Sequence, residues 1–156
     1  GMGGSILGAQ AIYNFLNHKV IKKFLFIDNL KSKQKRDNQK NVNLIISKSG
    51  NTLETIVNTN LHIKKKNKNI FITENKPSYL FNLAKKLKAE IIYHNYFIGG
   101  RYSVLSEVGM LPAELMGLDP KKFRQFNNLI KNKNFINSLV INVNSILYLV
   151  KKKKFN

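Results

Sequence analysis

Residues 42–55 read VNLIISKSGNTLET, and this stretch decides the fold that the chain is expected to adopt. Five strand-forming residues, Val42 to Ile46, lead into a loop of hydroxyls with one glycine, and a helical pattern follows. The N–H groups and the positive dipole end of such a helix favour a bound anion. An ordinary capped turn, with Asn51 or Thr52 as N-cap and Glu54 in the first turn, would give the same pattern. Both interpretations stay open from these residues alone.

Apolar runs and helical patterns alternate on both sides of this stretch. The predicted strands are 23–28, 42–46, 69–73 and 90–93; the predicted helices are 5–18, 52–65, 77–88 and a core helix over 139–150; the polar segment 29–41 is a short helix or loop. Continuous apolar strands that alternate with helices predict an α/β fold, a three-layer α/β/α sandwich with a parallel, doubly wound, flavodoxin-like sheet. Ligands bind such sheets at the carboxyl ends of the strands.

The two ends of the chain look cut. Residues 1–5 read GMGGS, a glycine-rich turn without the strand that such a turn follows, and a lysine-rich tail ends the chain. We therefore expect a fragment of a longer protein. Residues 1–150 would form a domain that lacks its first strand, and residues 151–156 would be a linker towards a second domain.

Composition limits the possible partners. The chain has 156 residues, 43% of them apolar, which is enough for one folded domain. Cysteine is absent, which excludes disulfides and thiolate metal centres and favours the cytoplasm. The net charge of +19 invites a nucleic-acid partner, but 24 of the 27 basic residues are Lys, as AT-rich codons would produce. No specific nucleic-acid partner is expected, and the apolar run at 139–150 is too short and too interrupted to span a membrane.

Three segments with glycine or hydroxyl residues are expected to meet at one edge of the sheet. They are Gly3-Gly4-Ser5, the loop 47–52 and the segment 99–103, which reads GGRYS. Each segment lets the backbone approach a ligand closely. Their convergence predicts a site for a phosphorylated small molecule.

Charged side chains near these segments have two interpretations each. Arg101 follows two glycines, where a planar cation would stabilise developing negative charge, or it would form a salt bridge to Glu107 or Glu114. Glu54 would pair with Lys48 or complement the helix dipole. The three histidines have no ligand-like spacing, and neither a metal nor a cofactor is predicted.

The three segments together resemble the glucose-6-phosphate isomerase family. The pattern SKSGNTLET at 47–55 is shared by sugar isomerase domains generally, including those of sugar-phosphate-sensing regulators. The longer segment GGRYSVLSEVGMLPAELMGL at 99–118 narrows the resemblance to the isomerases themselves. Glu107 departs from the small residue that better-known members carry there.

The resemblance implies a role for each matching residue. Arg101 would be catalytic and would stabilise the enediol intermediate. The substrate-binding residues would be Gly4 and Ser5 on the sugar side, and Ser47, Lys48 through its backbone N–H, Ser49, Gly50, Asn51 and Thr52 on the phosphate side.

The resemblance also implies a whole-protein function. It is the reversible conversion of glucose 6-phosphate into fructose 6-phosphate, in glycolysis and gluconeogenesis, by a cytoplasmic homodimer without a cofactor. The family's base glutamate, ring-opening histidine and a lysine match no residue here, so the chain alone is expected to be inactive. A non-catalytic regulatory module that binds a sugar phosphate is the alternative.

Overall fold

The computed structural model describes residues 1–30, 41–64 and 67–152, apart from the side chain of Phe126. These residues form two compact units, one spanning Gly1–Pro120 and the other starting at Lys121. The prediction for 29–41 falls almost entirely outside the described residues, as does most of the tail at 151–156. The helix predicted over 52–65 ends earlier than expected, at His62, and Ile63 is its C-cap residue.

A parallel sheet forms the centre of the first unit. Its strands, in the order β1-β2-β3, are Val42–Ile46, Lys68–Thr73 and Glu90–Tyr93. Ile70 pairs with Leu44 on one side and with Glu90 on the other, and both ladders are parallel. The α/β class and the parallel sheet are thus confirmed, with two of these strands at the predicted bounds.

Helices flank the sheet. They are α1, Leu7–Phe15; α2, Leu53–His62; α3, Tyr79–Lys86; and α4, Glu107–Leu115, with 3-10 turns at Gly3–Ser5, Asn17–Lys19 and Gly100–Leu105. The Ser78 hydroxyl accepts from the Phe81 N–H at 3.3 Å and caps α3, while the Ser106 hydroxyl caps α4. The helix predicted over 5–18 is α-helical only in its centre, at α1, and 3-10 turns lie at both of its ends.

Alternate strand residues pack on opposite faces of the sheet. The buried core is Ile45, Phe71, Leu80 and Ala84 on the side of α3, and Ile46, Ile72 and Val108 on the side of α4. Both faces are covered, which explains why the strands are continuously apolar. The carboxyl edge of the sheet remains for the loops that follow each strand.

The predicted buried strand at 23–28 is wrong. The segment forms no strand, and Leu25 is 71% exposed. Phe24 and Phe26 pack their rings against Tyr13 of α1 instead, with centroid distances of 6.1 and 5.4 Å. An apolar run forms a strand only when its backbone N–H and C=O groups pair with a neighbouring strand. Here the aromatic side chains pack on α1, and the backbone joins no strand of the described sheet.

The second unit is helical. It includes α6, Asn127–Lys131, and α7, Lys133–Lys151; the short α5, Pro120–Phe123, lies at the boundary between the units. Asn132 caps α7 by accepting from the N–H groups of Asn134 and Phe135. The predicted helix at 139–150 is thus confirmed, but its place in a core is wrong, since no described residue of α7 is buried. None of the helices in the described part of the chain combines the length and the apolar character that a membrane span requires.

Candidate functional site

An open cavity of about 320 Å³ lies at the carboxyl ends of β1 and β2. All three segments that the sequence singles out contribute to its wall. The lining residues are Gly4 and Ser5 from the first segment, Lys48, Ser49 and Thr52 from the second, Gly100 from the third, and also Met2, Glu74 and Lys76. Four other expected site residues are described by the structure but do not line this cavity: Ser47, Gly50, Asn51 and Arg101.

The first and third segments are in direct contact. A methyl group on Gly4 would lie 2.2 Å from the Gly100 carbonyl oxygen, so only glycine permits this approach. The buried Ser103 hydroxyl donates to the Gly100 carbonyl at 2.7 Å and lies 3.4 Å from the Gly4 carbonyl. A turn at the start of the chain is thereby joined to one about a hundred residues later.

The N-terminus of α2 opens on the cavity without a side-chain cap. Thr52 occupies the N-cap position, but its side chain caps no described N–H group, and its hydroxyl lies 3.1 Å from that of Ser47. The Asn51 side chain accepts instead from the Tyr79 N–H of α3, at 2.9 Å. The capped-turn interpretation is confirmed for Thr52 as the N-cap residue and for Glu54 in the first turn, but neither Asn51 nor Thr52 provides a side-chain cap for α2. The first N–H groups of α2 remain available to an anion.

Gly50 attaches the loop to α3 rather than lining the cavity. Its φ is +67°, and a Cβ at this position would lie 2.0 Å from the Ser78 hydroxyl oxygen. Its N–H donates to the Ser47 carbonyl at 3.2 Å, and its carbonyl accepts from the Leu80 N–H at 3.0 Å. Gly50 and Asn51 thus set the position of the loop.

The Lys48 ammonium joins the loop to the segment before Arg101. It donates to the carbonyls of Tyr96 at 2.8 Å and Ile98 at 2.9 Å. Its ion pair is with Glu74, at 3.4 Å, and the predicted pairing with Glu54 is wrong. Its side chain is therefore engaged by protein groups, and Lys48 is one of the residues that line the cavity.

Glu74 is a buried carboxylate at the end of β2. Only 6% of its side chain is exposed, and it contacts both Lys48 and Lys76. The hydrogen bond from Lys76 holds the pKa of Glu74 below its usual value, against the opposing effect of burial. Both ammonium groups favour the ionised form of this carboxylate.

Arg101 lies next to the cavity with its side chain exposed. It forms no ion pair with any described residue, and the predicted alternative of a salt bridge to Glu107 or Glu114 is not observed in this part of the chain. Glu107 contacts the buried His94 instead. The guanidinium therefore remains available for a ligand.

His94 ties β3 to α4. Its Nδ1 contacts the Glu107 carboxylate, and its Nε2 lies 3.1 Å from the Ile98 carbonyl, which also accepts from Lys48. Glu107, which departs from the family pattern, thus has a buried partner that holds the segment leading to Arg101.

Sequence reasoning missed Glu74, Lys76 and His94. A signal was present, since Glu74 and His94 each follow directly after an apolar strand, where parallel sheets place functional side chains. Their partners lie on other loops, and spacing along the chain does not reveal such pairs. No group of three or more His, Cys, Asp or Glu residues suited to a metal ion occurs in the described ranges.

Comparison with known proteins shows which proteins this chain is similar to. No protein-family profile matches it. It is 35% identical to the glucose-6-phosphate isomerase of Methanocaldococcus jannaschii over 98% of this chain, and 38% identical to that of Acholeplasma laidlawii over 78%. The chain is a relative of the glucose-6-phosphate isomerases. It spans 42% and 34% of the length of those two relatives.

A solved structure supports the fold of this chain. A hypothetical protein of Thermus thermophilus superposes with a TM-score of 0.77 at 25% identity, over 96% of this chain and 40% of the other. The resemblance to glucose-6-phosphate isomerases, which the segments at 47–55 and 99–118 carry, is confirmed by the sequence similarity to these named isomerases. The roles of individual residues stay predictions.

Proposed function

We propose that this chain provides the phosphate-binding part of a glucose-6-phosphate isomerase, which interconverts glucose 6-phosphate and fructose 6-phosphate through an enediol. The observation that carries the proposal is the meeting of Gly4-Ser5, Ser49, Thr52 and Gly100 in one cavity at the open N-terminus of α2. Backbone N–H groups and hydroxyls are the donors that a phosphoryl group requires. The similarity to named isomerases supports the same substrate.

Within this proposal, each part of the cavity has its own task. The loop at 47–52 binds the phosphoryl group, Gly4 and Ser5 face the sugar, and Arg101 stabilises the negative charge that develops on the enediolate. Gly50 and Asn51 act by holding the loop, in line with their contacts to α3. The proton transfer itself needs a base that the described residues of this cavity do not supply, because their one carboxylate is Glu74.

The proposal extends to the whole protein. Residues 1–150 would form the first sugar isomerase domain and residues 151–156 a linker to a second one. The active protein would be a cytoplasmic homodimer in glycolysis and gluconeogenesis.

Ligand binding tests the proposal directly. In ¹⁵N–¹H NMR spectra of the 156-residue chain, fructose 6-phosphate should shift the amide signals of Ser49 and Thr52, whereas neutral fructose should not. Thr52→Val should weaken binding about five-fold or more through the loss of a hydrogen bond to a charged group. Ser145→Ala, which removes an exposed hydroxyl of α7, is the control. Shifts scattered over the surface, with no change at the loop, would contradict the proposal.

Catalysis separates the isomerase from a regulatory module. The purified chain should give no exchange of the C2 proton of glucose 6-phosphate with deuterium oxide, and any isomerisation by it would refute the absence of a base. In an active isomerase that carries this segment, Arg101→Gln should lower kcat by about a hundred-fold or more, with a smaller change in KM. An unchanged kcat would remove Arg101 from the mechanism.

A further inference from the structure

Two lysines line the cavity, and the N–H donors of their ammonium groups have different numbers of partners. The ammonium of Lys48 has three N–H donors and three protein partners: the Tyr96 and Ile98 carbonyls and the Glu74 carboxylate. A ligand would have to displace one of these partners to reach it. Lys48 is thus an internal tie between loops, although its charge adds to the field in the cavity.

The ammonium of Lys76 has more N–H donors than it has protein partners among the described residues. Its ammonium contacts Glu74, and no second polar partner exists among the described residues. Half of its side chain is exposed, and it lines the same cavity as Ser49 and Thr52. At least one of its three N–H donors therefore has no protein partner among the described residues.

Glu74 makes this arrangement possible. The buried carboxylate holds both ammonium groups at the end of β2, so the long, flexible side chain of Lys76 is kept near the cavity in the absence of a ligand. One carboxylate against two ammonium groups leaves a net positive charge, to which the open end of α2 adds its partial charge. A dianion suits this cavity better than a neutral sugar.

We propose that Lys76 is the cation that contacts the phosphoryl dianion of the sugar phosphate in this cavity, and that Glu74 is its positioning residue. The inference rests on the proposed function, because it assigns a further binding residue to the same cavity. It goes beyond the family resemblance, which points to no residue in the loop after β2. The ligand class is a phosphomonoester in its doubly charged form.

Calorimetric titration of the 156-residue chain with fructose 6-phosphate at pH 8 tests the assignment. Lys76→Met should raise the Kd about five-fold, the effect of losing a half-exposed ion pair. Lys76→Arg should stay within about two-fold of the unchanged chain, because it keeps the charge. The matched control is Lys68→Met, which also breaks a Lys–Glu pair, with Glu90, but at the opposite end of β2.

Salt gives a readout that a purely structural role would not move. The Kd of the unchanged chain should rise more steeply with NaCl than that of Lys76→Met, since one ion pair with the ligand is absent from the variant. Circular dichroism checks that each variant is folded, and Lys76→Gln replaces the methionine variant if that one unfolds.

Each outcome decides between the two proposals. If the unchanged chain does not bind fructose 6-phosphate, the proposed function fails and this inference fails with it. If it binds, but Lys76→Met matches Lys68→Met in Kd and in salt dependence, the role of Lys76 is refuted and the phosphate-binding cavity stands. A five-fold loss restored by arginine supports the inference.

Discussion

The substitution Gly50→Ala should destabilise the first unit more than the addition of one methyl group at any other position of the loop at 47–52. Two costs combine at this position. An L-residue at φ +67° costs about 1–2 kcal/mol, and a Cβ placed 2.0 Å from the Ser78 hydroxyl forces a shift that typically costs about 1–3 kcal/mol. We expect a loss of about 2–5 kcal/mol in the free energy of unfolding.

Urea unfolding followed by circular dichroism measures this loss. With a slope of about 2 kcal/mol per M, the midpoint should fall by roughly 1–2.5 M. The control is Gly100→Ala, because a Cβ on Gly100 would meet no atom within 4 Å and the residue has no positive φ. That variant should lie within about 0.5 kcal/mol of the unchanged chain. Equal midpoints for the two variants would refute the reasoning from φ and from the contact with Ser78.

Two further predictions concern the hydrogen bonds and ion pairs at the cavity. Lys48→Met removes both hydrogen bonds to the segment 95–101, and amide hydrogen exchange in that segment should become roughly ten-fold faster, whereas Lys68→Met should leave it unchanged. Equal exchange in the two variants would show that Lys48 does not hold the segment. Because the pKa of Glu74 is lowered in the folded protein, its charge stabilises the fold above the usual value of about 4.5, and this stabilisation is lost as the pH falls below it. Glu74→Gln should therefore flatten the acid limb of stability in unfolding curves recorded between about pH 3 and 7, and an unchanged limb would show that Glu74 does not contribute.

The fold was predictable where local pattern and tertiary environment agree. The strands at 42–46 and 90–93 could be identified from sequence, because a strand covered on both faces is a continuous apolar run wherever it lies. The run at 23–28 has the same appearance, yet its rings pack on α1 and its backbone joins no ladder. Composition does not distinguish the two cases, since strand formation depends on a partner elsewhere in the chain.

The candidate site was likewise predictable from sequence only in part. Glycines and hydroxyls after strands pointed to the three segments that line the cavity, because parallel strands bring their carboxyl ends to one edge. The partners of the charged side chains were not predictable in this way. Lys48 reaches Glu74 and Ile98, which lie 26 and 50 residues further along the chain, and Glu107 reaches His94 rather than Arg101.

By itself, the sequence determined the α/β class, the loop at 47–52 and the resemblance to the glucose-6-phosphate isomerases, since each depends on residues that are neighbours along the chain. Only the tertiary structure decided that the N-terminus of α2 lacks a side-chain cap, that Lys48 is engaged by protein groups and that Lys76 keeps an open donor. The physical reason is that a charged side chain takes its partners from whatever the fold brings within about 4 Å, and this distance is independent of separation in sequence.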